Sequence, residues 1–244
     1  MVTVGAVVGA GMLGLAVGLA VAAGRRRRWR RLGRTLLHNH QALWTRRPDW
    51  VHVEGEDLEP WREPVASAIA AELAALGFAR IGYIEDAAAA GEQRLLTVFL
   101  RDGGEVHAAS SEQGGRDVLE FETELEDGTV LGTINLGGTM LLASPPGIDV
   151  AVRPGTDAPA LLRAHLERLQ GRLASGAAVR RMSTIADVIA SQYRQHEITR
   201  TFRMGLGYVS DDEWERIADT LRLSPEARRH ARASYRDASR AGGD

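Results

Sequence analysis

The sequence predicts an α+β protein: one N-terminal transmembrane helix, then a cytoplasmic antiparallel β-meander packed with helices, then a helical C-terminal extension. Three observations carry that expectation. Residues 2 to 24 hold no charged side chain, and residues 25 to 47 hold nine arginines and no acid. Short apolar or alternating runs between residues 78 and 136 are separated by turn residues and followed by helical periodicity.

The first element is the charge-free run. At about 1.5 Å per residue it is long enough to cross a hydrocarbon core of about 30 Å. The basic tract behind it belongs on the cytoplasmic side, so the expected location is the bacterial inner membrane, single-pass, with the N-terminus outside. A secretory signal peptide has the reverse order, with its positive charge before the apolar run. Gly9-Ala10-Gly11-Met12-Leu13-Gly14 has the spelling of a dinucleotide fingerprint. The acid required about 20 residues later is missing, because the first acid after it is Asp49. Ala6, Ala10, Gly14, Gly18 and Ala22 recur every fourth residue and mark one helix face for close packing. The expected partner is a transmembrane helix of a membrane complex, or the same helix in a second copy.

Residues 25–59 read as a basic juxtamembrane segment and linker. Trp29, Leu32, Leu36, Leu43 and Trp44 keep a three-or-four spacing among the arginines. Arg25, Arg26, Arg27, Arg28, Trp29, Arg30, Arg31, Arg34 and Trp44 are therefore expected at lipid headgroups, with anionic lipids as partners. His38 and His40, two apart on a helix, face different ways and do not form a metal pair.

The α+β body is expected over residues 60–175. Trp61, Val65, Ile69, Leu73 and Leu76 follow helical periodicity up to Gly77. Strand-like runs follow at 78–84, 95–101, 105–109, 117–126 and 129–136. Asp127-Gly128 reads as a two-residue hairpin turn, which pairs Phe121 with Ile134 and Leu119 with Leu136. One face of that hairpin is then apolar. The other carries Glu120, Glu122, Glu124 and Glu126, expected as a solvated face with a basic partner as the functional alternative. Alternate strand residues lie about 6.6 Å apart in a line, which disfavours a shared ion.

After two Pro-Gly-rich loops, a helix is expected from Ala158 to Ala174, with His165 on its apolar side as a core residue. The extension over 176–244 holds a helix from Thr184 to about Met204. A second opens at the capping box Ser210 to Glu213, and a last at Ser224-Pro225-Glu226. That last helix carries Arg228, Arg229, Arg232, Arg236 and Arg240, a pattern open to a helix-turn-helix reading. Residues 48–244 nevertheless balance at −11, so no nucleic acid is expected as a partner.

Catalytic signals are missing. The chain has no Cys, which removes disulfides, thiolate metal sites and a cysteine nucleophile, and no Lys, which removes the phosphate-binding loop. No Gly-x-Ser-x-Gly or His-Glu-x-x-His occurs. No catalytic residue, cofactor or metal is therefore expected.

Phe121-Glu122-Thr123-Glu124-Leu125-Glu126-Asp127-Gly128-Thr129, Thr133-Ile134-Asn135, Pro145-Pro146 and Leu161 to His165 together resemble uncharacterised bacterial membrane-associated proteins. The resemblance implies that strand, turn, loop and helix form one unit, and implies no activity. The expected function is a non-enzymatic accessory or structural subunit of an inner-membrane complex, respiratory or photosynthetic complexes being instances of that class. The alternatives are a free-standing anchored sensing or recruitment module and, third, an enzyme of unrecognised type.

Overall fold

The computed structural model describes the backbone of residues 4–55, 63–87, 95–112, 117–136 and 142–241. Side chains are described for residues 24–42, 44–55, 69–87, 95–111, 118–136 and 142–240. Six helices and seven strands are found among them. In chain order they are α1 (Val4–Thr45), β1 (Trp50–Val53), α2 (Glu63–Ala74), β2 (Phe78–Asp86), β3 (Leu95–Arg101), β4 (His107–Glu112) and β5 (Asp117–Glu124). These are followed by β6 (Val130–Ile134), β7 (Ile148–Val152), α3 (Ala158–Ala174), α4 (Ile185–Gly205), α5 (Asp211–Thr220) and α6 (Pro225–Ala241). The chain divides into two compact units, residues 1–46 with 203–244, and residues 47–202.

In the 47–202 unit the strands form one sheet in sequence order, antiparallel from β1 to β6 and parallel between β6 and β7. Both faces are covered. On one, Phe78, Phe99, Ala108, Leu119, Phe121 and Leu131 pack against Leu73 of α2 and Leu161, Leu162 and Leu169 of α3. On the other, Ile84 and Val98 pack with Met182 and with Val188 of α4. Residues 177–182 join the two layers past the end of β5, with Arg180 N donating to Glu124 O and Met182 N to Gly104 O.

The helix ends follow local rules. Asp157 caps α3 by accepting from Ala160 N at 2.9 Å, with Pro159 in the first turn. Ser210 and Glu213 form a reciprocal capping box on α5.

The hairpin differs from the expectation by one residue. Leu125 N donates to Thr129 O and Gly128 N to Leu125 O, so the loop has three residues, with Gly128 at φ +84°. This is the turn-plus-left-handed-residue loop, not the two-residue turn. Its register pairs Phe121 with Thr133, Thr123 with Leu131 and Glu124 with Val130. Leu131 and Thr133 of β6, rather than Val130 and Ile134, therefore share the face of Phe121. A slip of one residue exchanges the faces of a strand.

The expected transmembrane helix over residues 2–24, and with it the single-pass inner-membrane location, is corrected. Among the described residues no helix is long and apolar enough to cross a membrane. α1 passes unbroken through the Arg tract to Thr45, and the apolar residues spaced along that tract are covered by protein. Trp29 and Leu32 pack with Ala218, Leu223 and Ala227, while Leu36 and Leu37 pack with Trp214 and Tyr235. Contacts advance together along α1 and α6, from Gly33 against Ala231 to His40 against Tyr235, so the two helices run parallel. A Cβ at Gly33 would overlap the Ala231 carbonyl, so glycine permits this approach.

Candidate functional site

The strongest concentration of chemistry-bearing side chains lies on the β5 face expected to be solvated. Glu122 and Glu124 are buried there under α4. Glu124 Oε2 accepts from Ser191 Oγ at 2.6 Å and from Arg194 at 2.7 Å, and Oε1 from Arg194 Nε at 2.9 Å. Arg180 approaches Oε1 at 3.1 Å. Burial pushes the Glu124 carboxyl upward; the hydrogen bonds from Arg194 and Ser191 and the charges of Arg194 and Arg180 outweigh it and hold the group below its ordinary value. Glu122 Oε2 lies 3.0 Å from His107 Nε2 and accepts from Gln195 at 2.9 Å and Gln192 at 3.3 Å. Burial raises its proton affinity as well, and His107 and Gln195 reverse that, leaving the carboxyl below its ordinary value.

Behind the sheet, His165 is fully buried between two threonines. Thr123 Oγ1 donates to the Glu105 carbonyl at 2.9 Å, which leaves it lone pairs to accept from His165 Nε2 at 3.0 Å. His165 Nδ1 is then the acceptor for the Thr133 hydroxyl at 3.1 Å, and Thr133 Oγ1 accepts from Arg168 at 2.8 Å. The chain of donors assigns the neutral Nε2–H tautomer. Arg168 also donates to the Gly132 carbonyl and the Asp149 carbonyl, which ties β6 to β7.

Burial, helped by the charges of Arg168 and His107, lowers the His165 pKa to about 4. Between pH 6.5 and about 4 the unfolded chain therefore binds a proton at this residue that the folded chain does not. Its contribution to stability is complete above pH 6.5 and falls as pH drops toward 4. Urea unfolding at pH 7 and pH 5 should show that loss in the wild type and less of it in His165→Gln. Thr133→Val should cost about 1–2 kcal/mol at pH 7, because the ring nitrogen loses its donor.

A second buried ionic site lies in the other unit. Glu213 Oε1 accepts from Arg203 at 2.6 Å, and Glu213 Oε2 accepts from Ser210 N at 2.7 Å. Both side chains of the Arg203–Glu213 pair are at most 2% exposed. The Arg203 guanidinium lies 6.0 Å from the Trp44 ring, and His40 Nδ1 is 3.0 Å from Tyr235 Oη. Burial first, then the Arg203 charge, lowers the His40 pKa, with Glu213 opposing.

The residues singled out in the sequence are distributed as follows. Ala6, Ala10, Gly14, Gly18 and Ala22 lie in α1, but their side chains are outside the described residues. Arg25, Arg26, Arg27, Arg28, Arg30, Arg31 and Arg34 are exposed. Trp29 and Trp44, expected at lipid headgroups, are instead half-buried within their own unit, Trp29 among Ala218, Leu223 and Ala227. Of the four glutamates expected on an open face, Glu126 is exposed and Glu120 half-buried. Glu122 and Glu124 already have their partners on α4, so a basic partner has no access to them.

His107, Arg180, Ser191, Arg194, Gln195 and Arg203 went unnoticed in the sequence; no motif marks them, since each meets its partner only through tertiary packing. Among the described residues no group of His, Asp or Glu is arranged to hold a metal ion. Every buried carboxylate described above is already bound by named donors, an arrangement that fixes the packing of α4 and α5.

Comparison with known proteins adds nothing to this geometry: no family model, no curated protein and no solved structure matches the chain.

Proposed function

We propose that the chain is a non-enzymatic accessory or structural subunit of a larger protein assembly, joined to its partner through the N-terminal part of α1. The observation that carries this reading is the continuation of α1 back to Val4 through a stretch without one charged residue. A helical segment with no polar face is stable when another structure covers it. The small residues at every fourth position, Ala6 to Ala22, let the covering element be a second helix at close range. A structural role for the body is supported by its buried carboxylates, which hold helices in place.

The Gly14→Leu/Gly18→Leu variant tests the proposal. Affinity capture from the native cells should recover wild-type chain with a stoichiometric partner and the variant alone. Equal recovery of the partner by the variant would overturn the reading.

A further inference from the structure

The overall charge of −2 conceals a division between the two units. Residues 1–46 with 203–244 hold sixteen arginines and eight acids, a balance of +8, whereas residues 47–202 hold fourteen arginines and twenty-four acids, a balance of −10. The acidity that argued against a polyanionic partner thus belongs to the other unit.

Within the basic unit, three of the five arginines of α6 are neutralised by α5. Arg228 meets Glu215 and Asp219, Arg232 meets Asp211 and Glu215, and Arg236 meets Asp211. The open groove they line, of about 520 Å³, therefore offers little net charge. The arginines of α1 have no such partners: the chain has no acid before Asp49, and all seven from Arg25 to Arg34 are exposed. At about 100° per residue, Trp29, Leu32, Gly33, Leu36 and His40 share the side packed on α5 and α6. Arg27, Arg31, Arg34 and His38 fall on the opposite side, flanked by Arg28 and Arg30. The arginines among them make a cationic stripe about 11 Å long on a helix braced from behind.

We infer that this stripe is a docking surface for a nucleic-acid backbone, bound through its phosphates without regard to sequence. The charge density supports that partner. The five arginines of the stripe and its flanks, within the eight residues 27–34, place about one positive charge per 2.4 Å of helix, near the one negative charge per about 1.7 Å of a duplex. A carboxylate-bearing helix is sparser: α5 answers α6 with Asp211, Glu215 and Asp219, one per turn. A lipid surface would hold an interfacial helix by its inserted apolar face. Over residues 29–40 that face of α1 is packed against α5 and α6. Like charges three and four apart also repel along the bare stripe, which phosphates would relieve.

Fluorescence anisotropy of the full chain with a labelled random-sequence DNA duplex tests the inference. Binding should be independent of sequence, and log K against log salt should fall with a slope of about −3 to −4 for about four phosphates engaged. Arg27→Gln/Arg31→Gln/Arg34→Gln should weaken binding more than about tenfold and flatten the slope by about 2–3. Its helical circular dichroism should be unchanged, which separates loss of charge from loss of fold. Arg232→Gln/Arg236→Gln, on arginines already neutralised, should leave binding within about twofold of wild type. The inference is overturned if the wild type fails to bind duplex in about 50 mM salt, or if the triple variant binds like the wild type. It is equally overturned if vesicles containing about one-third phosphatidylglycerol are bound and duplex is not.

Discussion

Glu213→Ala is expected to destabilise the unit formed by residues 1–46 and 203–244 by about 3–5 kcal/mol, because it takes the carboxylate at 2.6 Å away from the buried Arg203 guanidinium. Arg203 and Glu213 are at most 2% exposed, so water cannot replace the lost partner. The same substitution removes the acceptor for Ser210 N and so weakens the first turn of α5. Arg203→Met/Glu213→Leu should recover much of the loss, since an apolar pair of similar volume leaves no buried charge. Native-state hydrogen exchange would locate the effect: protection should fall over residues 29–44 and 208–240, and β3 to β6 should keep theirs. Equal loss in the single and double variants would show that the pair is not coupled.

Glu124→Ala is expected to cost about 2–4 kcal/mol and to loosen α4 from the sheet. Removing this carboxylate leaves Ser191 Oγ and two arginines without their acceptor. Arg180 and Arg194 are 37% and 41% exposed, so water compensates part of the loss; the effect is therefore smaller than at Glu213. Because the folded-state pKa of Glu124 is lowered, its stabilisation is complete above the unfolded carboxyl value and disappears as pH falls through the folded one. Denaturant midpoints measured from pH 7 to pH 3 should show an acid-side decline in the wild type that is shallower in Glu124→Ala.

These two predictions concern residues that the sequence does not present as partners. Glu124 lies in an alternating strand, and alternation alone reads as one buried and one wet face. What makes the second face dry is α4, whose Ser191 and Arg194 are about 70 positions away and belong to no recognisable pattern. Arg203 is equally silent, an arginine near the end of a helix. Several local rules were legible. The Ser210 cap follows from a short polar side chain next to free amides, and His165 was recognisable as a core residue among leucines.

The hairpin was legible as a hairpin but not in register. Asp-Gly fits both the two-residue turn and the three-residue loop, and the choice between them decides whether Ile134 or Thr133 faces Phe121. β7 was missed because Ile148 to Val152 follows a Pro-Gly loop and joins the sheet in parallel, a pairing with no local turn signal. The charge-free run misled in a different way. Residue count and the neighbouring arginines suggested a span, whereas the tract after Gly24 turns its apolar side toward α5 and α6.

The N-terminal part of α1 is the proposed site of assembly. Photo-crosslinking from a single reactive residue at Gly18 in native cells, compared with one at exposed Arg163 on α3, tests this directly. A single discrete adduct from position 18, absent from position 163, is the predicted result. No adduct from position 18, or the same adducts from both positions, would contradict it.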